Sequence, residues 1–140
     1  MAKVVIDANV IISSAFGGKP LEAMTRAMGK HEVFLSSDIK RELEGVPYKL
    51  SKKLTEGQLA FVREKFHELV GMAILVSVST PVTLSRDAKD DHYLSLCKAV
   101  GADFLITGDN DLLIIPPESL IENGIYCRII TPQDFIKNVS

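Results

Sequence analysis

Short apolar runs alternate along this chain with longer stretches whose apolar residues recur at helical spacing. Val4-Val5-Ile6 is a β-branched run suited to a strand buried on both faces. Between Pro20 and Met28, the spacing of Leu21, Met24 and Met28 predicts a helix that Gly29 ends. Val33-Phe34-Leu35 predicts a second strand, after which Ser36 or Ser37 caps a helix through about Leu43, closed by Gly45. Thr55-Glu56-Gly57-Gln58 has the spacing of a capping box, with Leu59, Val62, Phe66, Leu69 and Val70 as the apolar stripe behind it. Residues 73–78 predict a third strand, and a helix follows from about Asp90 to Val100 with Tyr93, Leu94 and Cys97 on one face. Phe104-Leu105-Ile106 and residues 126–130 predict the fourth and fifth strands. Thr131-Pro132-Gln133-Asp134 then reads as an N-cap, a first-turn proline and a last short helix.

Strands that are short and apolar, alternating with helices, imply an α/β protein whose mostly parallel sheet is covered on both faces. In such sheets ligands bind in the crevice beyond the carboxyl ends of the strands. The residues that follow each strand therefore come first in any search for chemistry.

Composition narrows the picture. With 140 residues, no internal repeat and no Pro/Gly/Ser linker, residues 1–140 read as one domain. No apolar stretch approaches the roughly 18 residues a membrane span needs. An acidic residue comes too early for a secretory signal, so the expected location is cytoplasmic. The net charge of −2 does not advertise a nucleic-acid binder, but the halves differ. Residues 1–70 carry 11 basic and 9 acidic side chains, whereas residues 71–140 carry 5 and 9. Bound divalent ions would offset that acidic second half. Cys97 and Cys127 form no C-x-x-C pair and are expected to be buried, reduced thiols. His31, His67 and His92 show no ligand spacing with them, which argues against zinc.

The carboxylates fall where the sheet rule points. Asp7 and Asn9 follow the first strand, while Thr107, Asp109 and Asp111 follow the fourth. Asp87, Asp90 and Asp91 gather where the helix before the fourth strand begins, and Glu42 lies within the helix after the second. Each has an ordinary alternative: a helix cap for Asp7, turn formation for Asp109 and Asp111, first-turn charge for residues 87–91, a solvated face for Glu42. Their coincidence at one sheet edge favours a site, because clustered carboxylates repel unless a cation joins them. Oxygen ligands select Mg²⁺ or Mn²⁺. Asp90 shares a helix face with Leu94 and Cys97 and is the preferred ligand of the pair. Asp91, turned roughly 100° further round, is expected toward solvent beside Lys98.

Four segments, V-V-I-D-A-N-V-I-I-S-S (4–14), S-S-D-I-K-R-E-L (36–43), D-A-K-D-D-H-Y-L-S-L-C (87–97) and D-F-L-I-T-G-D-N-D-L-L (103–113), resemble the PIN domain nucleases in the family's order. The pattern is similar to the small prokaryotic toxin components of toxin–antitoxin pairs. The resemblance implies a three-layer α/β/α sandwich with a parallel sheet of about five strands and Mg²⁺- or Mn²⁺-dependent RNA cleavage. It places the family's acidic residues on Asp7, Glu42, Asp90 and Asp109, with Asn9, Ser13 and Thr107 in support. Asp91 and Asp111 stand as alternates. Lys89 departs from the pattern, since related sequences often carry another acid there.

The expected partners are thus an RNA substrate and, by the toxin resemblance, an antitoxin protein, with a homodimer or higher homo-oligomer left open. Lys49, Lys52 and Lys53 form the densest basic stretch and are the candidate RNA contacts, set against a plain solvated surface. Tyr48 is a candidate for base stacking. Two other classes compete: a phosphohydrolase with Asp7 as covalent nucleophile, which wants a second Asp where this chain has Asn9, and a non-catalytic RNA- or protein-binding module on the same fold.

Overall fold

A computed structural model describes residues 1–50, 52–79 and 81–139, with the side chains of 46–50 excepted. The elements are β1 (Lys3–Ile6), α1 (Ala8–Ser13), α2 (Gly18–Lys30), β2 (Glu32–Ser36), α3 (Ser37–Leu50), α4 (Glu56–Met72) and β3 (Ile74–Val76). They continue as α5 (Asp91–Val100), β4 (Phe104–Ile106), α6 (Asn110–Leu113), α7 (Pro117–Glu122), β5 (Arg128–Ile130) and α8 (Pro132–Asn138). A 3₁₀ turn, Ser14–Phe16, follows α1, and another, Ala88–Asp90, leads into α5.

The five strands form one parallel sheet in the order β3-β2-β1-β4-β5. Helices flank it, giving the expected three-layer α/β/α arrangement. Val4, Val5 and Ile6 of the central strand are all fully buried, as a strand covered on both faces requires. Helix α5 lies on β1, β2 and β4, while α2 packs against α8. The chain leaves β1 toward β2 and β3 on one side, then returns to lay β4 and β5 on the other. That reversal opens a crevice at the carboxyl ends of β1 and β4.

Local signals explain several boundaries. The capping box forms as the spacing predicts: Thr55 Oγ1 accepts from the Gln58 N–H at 3.1 Å, and Gln58 Oε1 accepts from the Thr55 N–H at 3.0 Å. Ser36 Oγ caps α3 by accepting from the Ile39 N–H. Gly101, at φ +65, ends α5 in the left-handed region that a side chain would resist.

Other boundaries differ from expectation. Gly45 does not close α3, which continues to Leu50. Ile39 and Leu43 are buried, and α3 packs on α4, so tertiary packing outweighs the roughly 1 kcal/mol helix cost of a glycine. Gly29 likewise lies inside α2, and extended His31 carries the chain straight into β2. Strands β3 and β5 are the sheet edges, each paired on one side over three residues, and so are shorter than their apolar runs. Helices α6 and α7 have four and six residues, too few to show a period. Cys97 and Cys127 are buried free thiols, as expected. Among the described residues, no helix is long and apolar enough to cross a membrane.

Candidate metal centre

Strands β1 and β4 pair with Ile6 opposite Ile106, so Asp7 and Thr107 leave the sheet side by side. The Asp7 N–H donates to the Ile106 carbonyl at 2.9 Å, fixing the exit. Asp7 is only 1% exposed. Its Oδ1 accepts from the Asn9 N–H at 2.9 Å, capping α1, and its Oδ2 accepts from the Thr107 hydroxyl at 2.7 Å. Thr107 Oγ1 in turn accepts from the Asp109 N–H at 3.0 Å, and Asp109 Oδ1 caps α6 by accepting from the Asp111 N–H at 2.8 Å. The capping role read from the sequence for Asp7 is met, and Asp109, read as a turn former, caps α6 in the same way.

Asp90 closes the 3₁₀ turn before α5. Its Oδ2 is buried without a hydrogen-bond partner among the described residues. Burial, the adjacent Asp109 carboxyl, and the charges of Asp87 and Asp7 raise its pKa to about 7. Asp87, Asp90 and Asp111 each offer an oxygen, all within 4.8 Å of one another. Arg86 donates to Asp111 Oδ1 through Nε at 3.1 Å and Nη2 at 2.7 Å, so Asp111 also anchors the segment before the turn.

Asp91 does not point to solvent beside Lys98. It is 8% exposed, and its Oδ1 accepts from the backbone N–H groups of Leu84 at 3.0 Å and Ser85 at 2.7 Å. The segment 82–85 folds back over the start of α5, and a second tie from the Val82 N–H to Ser95 Oγ holds it there. Hydropathy alone gives no sign of that return.

Glu42 reaches the crevice from α3. Tyr93 donates its hydroxyl hydrogen to Glu42 Oε2 at 2.8 Å while accepting from the Ala8 N–H at 3.0 Å, and His92 Nε2 meets Glu42 Oε1. Burial first, then the charge of Asp7, pushes the Tyr93 phenol far above its usual range, so it remains a donor. Sequence reading treats Tyr93 as a core face residue and weighs His92 only for zinc. The available signal is position, since both directly follow the Asp90-Asp91 pair at the start of α5.

These groups share a cleft of about 770 Å³ whose lining includes Asn9, Glu42, Asp87, Asp90, Tyr93 and Asp109. Asp7 and Thr107 lie beneath it, held in the network just described. Ser13 instead lines an adjoining depression of about 580 Å³ that shares Asn9 and Asp109 with the cleft. Arg41 and Lys89 are the cleft's Lys/Arg side chains. Lys52 and Lys53 are exposed beyond α3 and are not among its lining, while the side chains of Lys49 and Tyr48 lie outside the described residues.

A family model described as a PIN domain matches residues 3–111. Among solved structures, the chain is similar to that of VapBC2 from Rickettsia felis bound to a DNA fragment from their promoter. That likeness has a TM-score of 0.56 at 13% identity, and covers 91% of this chain and 98% of the other. It bears on the fold. No curated protein matches.

Proposed function

The chain belongs to the PIN domain family, and from that premise we propose that it is a Mg²⁺- or Mn²⁺-dependent ribonuclease acting as the toxin of a toxin–antitoxin pair. The observation that carries this reading is the buried Asp90 Oδ2, which has no hydrogen-bond partner among the described residues, in a carboxyl adjacent to Asp109 within a cluster of carboxylates. A carboxyl so placed is unfavourable as an anion until a cation joins it. The residues therefore fit a hard divalent ion: the metal-ligating group found among the described residues is made of carboxylate oxygens alone, and His92 turns its Nε2 to Glu42.

Asp7, Asp90 and Asp109 would hold the ion, with Asp87 and Asp111 bordering it. A bound cation supplies positive charge for the phosphodiester oxygens and lowers the pKa of water. Glu42, which Tyr93 and His92 hold at the cleft, would bind the ion or orient the attacking water. Thr107 and Asn9 keep the Asp7 carboxylate aimed at the crevice floor. Lys49, Lys52 and Lys53 remain the proposed outer contacts for RNA phosphates. Covalent catalysis by Asp7 is disfavoured, because that chemistry wants a second Asp two residues on, where this chain has Asn9.

The similar solved structure is of VapBC2 on promoter DNA, which supports carrying an antitoxin partner to this chain as part of the proposal. The test is cleavage of a labelled single-stranded RNA by the purified protein with Mg²⁺ or Mn²⁺. Cutting should stop with EDTA and be lost in Asp90→Asn. Equal cleavage by parent and variant, prepared identically, would place the activity elsewhere. Absence of cleavage across varied RNAs and both ions would favour the non-catalytic binding module.

A further inference from the structure

We propose that the depression beside the acidic cleft is a nucleotide subsite, which holds the nucleotide flanking the scissile phosphate of a single-stranded RNA. This rests on the nuclease reading above. The depression and the cleft share Asn9 and Asp109, so they adjoin there as the non-acidic and acidic ends of a trough in this proposal. At the non-acidic end the only carboxylate is the shared Asp109, and the lining turns to hydroxyl, amide, ammonium and apolar groups. Its volume of about 580 Å³ lies within the range of small-ligand pockets.

The lining matches the three parts of a nucleotide. Lys19 supplies a cation for a phosphate. It is 60% exposed and its ion pair with Glu22 is loose at 3.6 Å, so exchanging that partner for a phosphate costs little. Ser13 offers a hydroxyl for the sugar, and Gln133 offers both donors and acceptors for a base edge. Pro20 and Pro132 give apolar faces against which a flat base can lie. A chain of phosphates whose reacting member sits over Asp90 and Asp109 has its next nucleotide at this end of the trough. The acidic end sets Asp87, Asp90 and Asp109 beside Arg41 and Lys89 and needs an ion to offset those carboxylates, whereas this end binds through Lys19 without one.

That last distinction sets the experiment. Binding of a short labelled RNA to the EDTA-treated full chain is measured by fluorescence anisotropy over a range of salt concentrations, for the parent, Lys19→Ala and Gln133→Ala. Lys19→Ala should weaken binding and reduce the slope of log affinity against log salt by about 1, as loss of one phosphate contact does. Gln133→Ala should leave the slope and change the ranking among homopolymer oligonucleotides. Both residues are at the surface, and unchanged melting curves confirm that neither variant is unfolded. Affinity, slope and ranking all equal to the parent's in both variants would overturn the subsite. If the parent cuts RNA normally and these variants do too, with unaltered KM, the subsite falls and the nuclease reading stands. If binding depends on Lys19 and Gln133 but the parent never cuts, the nuclease reading falls instead.

Discussion

The Thr107 hydroxyl donates to Asp7 Oδ2 at 2.7 Å, joining the residues that follow two neighbouring parallel strands one hundred positions apart in the chain. Both side chains are buried, at 0% and 1% exposure, so the bond is shielded from water. Thr107 Oγ1 also accepts from the Asp109 N–H, which makes one hydroxyl the hinge between two proposed ligands. Thr107→Val keeps the shape and removes both bonds. It should destabilise the protein by about 1–3 kcal/mol, because a buried carboxylate oxygen and an amide lose their partners. It should also weaken Mn²⁺ binding roughly 10- to 100-fold, as loss of an orienting group does. Thr107→Ser should restore both. Melting curves and metal titrations of the two variants decide the matter; a valine variant with parent-like metal affinity would remove Thr107 from the site.

Stability of the metal-free protein should carry an Asp90 signature in its pH dependence. The folded pKa of about 7 lies above the ordinary value of 3.8, so the native state holds this proton more tightly than the unfolded chain. The contribution is fully present below 3.8 and is lost progressively as pH rises to about 7. Asp90→Asn lacks the proton and therefore the loss. Denaturant unfolding in EDTA should show the variant gaining on the parent between these limits, with no further gain above them. Parallel profiles would mean that the crowding around Asp90 is relieved in another way. Divalent metal should flatten the parent's profile, since the ion favours the ionised carboxyl.

The sheet and its carboxylate-lined edge were legible because β-branched runs such as Val4-Val5-Ile6 and Phe104-Leu105-Ile106 mark strands, and the residues after them mark the crevice. What resisted reading was long-range or too short for periodicity. Asp91 looks solvent-facing on a helical wheel, yet residues 82–85 return over it and use its carboxylate as their anchor. The link from Tyr93 to Glu42 and Ala8 joins three elements that no spacing rule connects. Gly45 and Gly29 read as helix stops, but packing decides at both places. The basic stretch at residues 49–53 stands out by density, whereas Arg41 and Lys89, which lie outside it, are the Lys/Arg side chains that line the cleft.

Tyr93→Phe isolates one hydroxyl. Without it the Ala8 N–H loses its acceptor within the buried start of α1, and Glu42 loses one of the groups that hold it. A buried amide left without a partner costs about 1–3 kcal/mol. If Glu42 orients water, kcat should fall roughly 10-fold or more while KM for RNA holds, because the substrate's binding contacts are untouched. A rise in KM at constant kcat would instead place Tyr93 in substrate binding. Parent-like values of both would leave the hydroxyl with a structural role only.

Asp90 and Asp91 are adjacent in sequence and should fail in opposite ways when each is changed to asparagine. Asp91 accepts two backbone N–H groups on one buried oxygen, at 3.0 and 2.7 Å, so its charge stabilises the segment before the 3₁₀ turn. Bonds to a charged acceptor contribute about 1.5–3 kcal/mol, part of which a neutral amide oxygen retains. Asp91→Asn should therefore lower the melting temperature of the metal-free protein while leaving most of the metal-induced rise. Asp90 carries the reverse balance. It has a partnerless buried oxygen amid like charges, so Asp90→Asn should leave the metal-free protein as stable as the parent or more so. An ion at a hundredfold excess over its Kd stabilises the native state by about 2.7 kcal/mol, and that gain is what Asp90→Asn should lose. Melting curves of parent and both variants, with and without Mn²⁺, contain the whole comparison. A metal response lost in Asp91→Asn and kept in Asp90→Asn would move the ion to the other side of the turn.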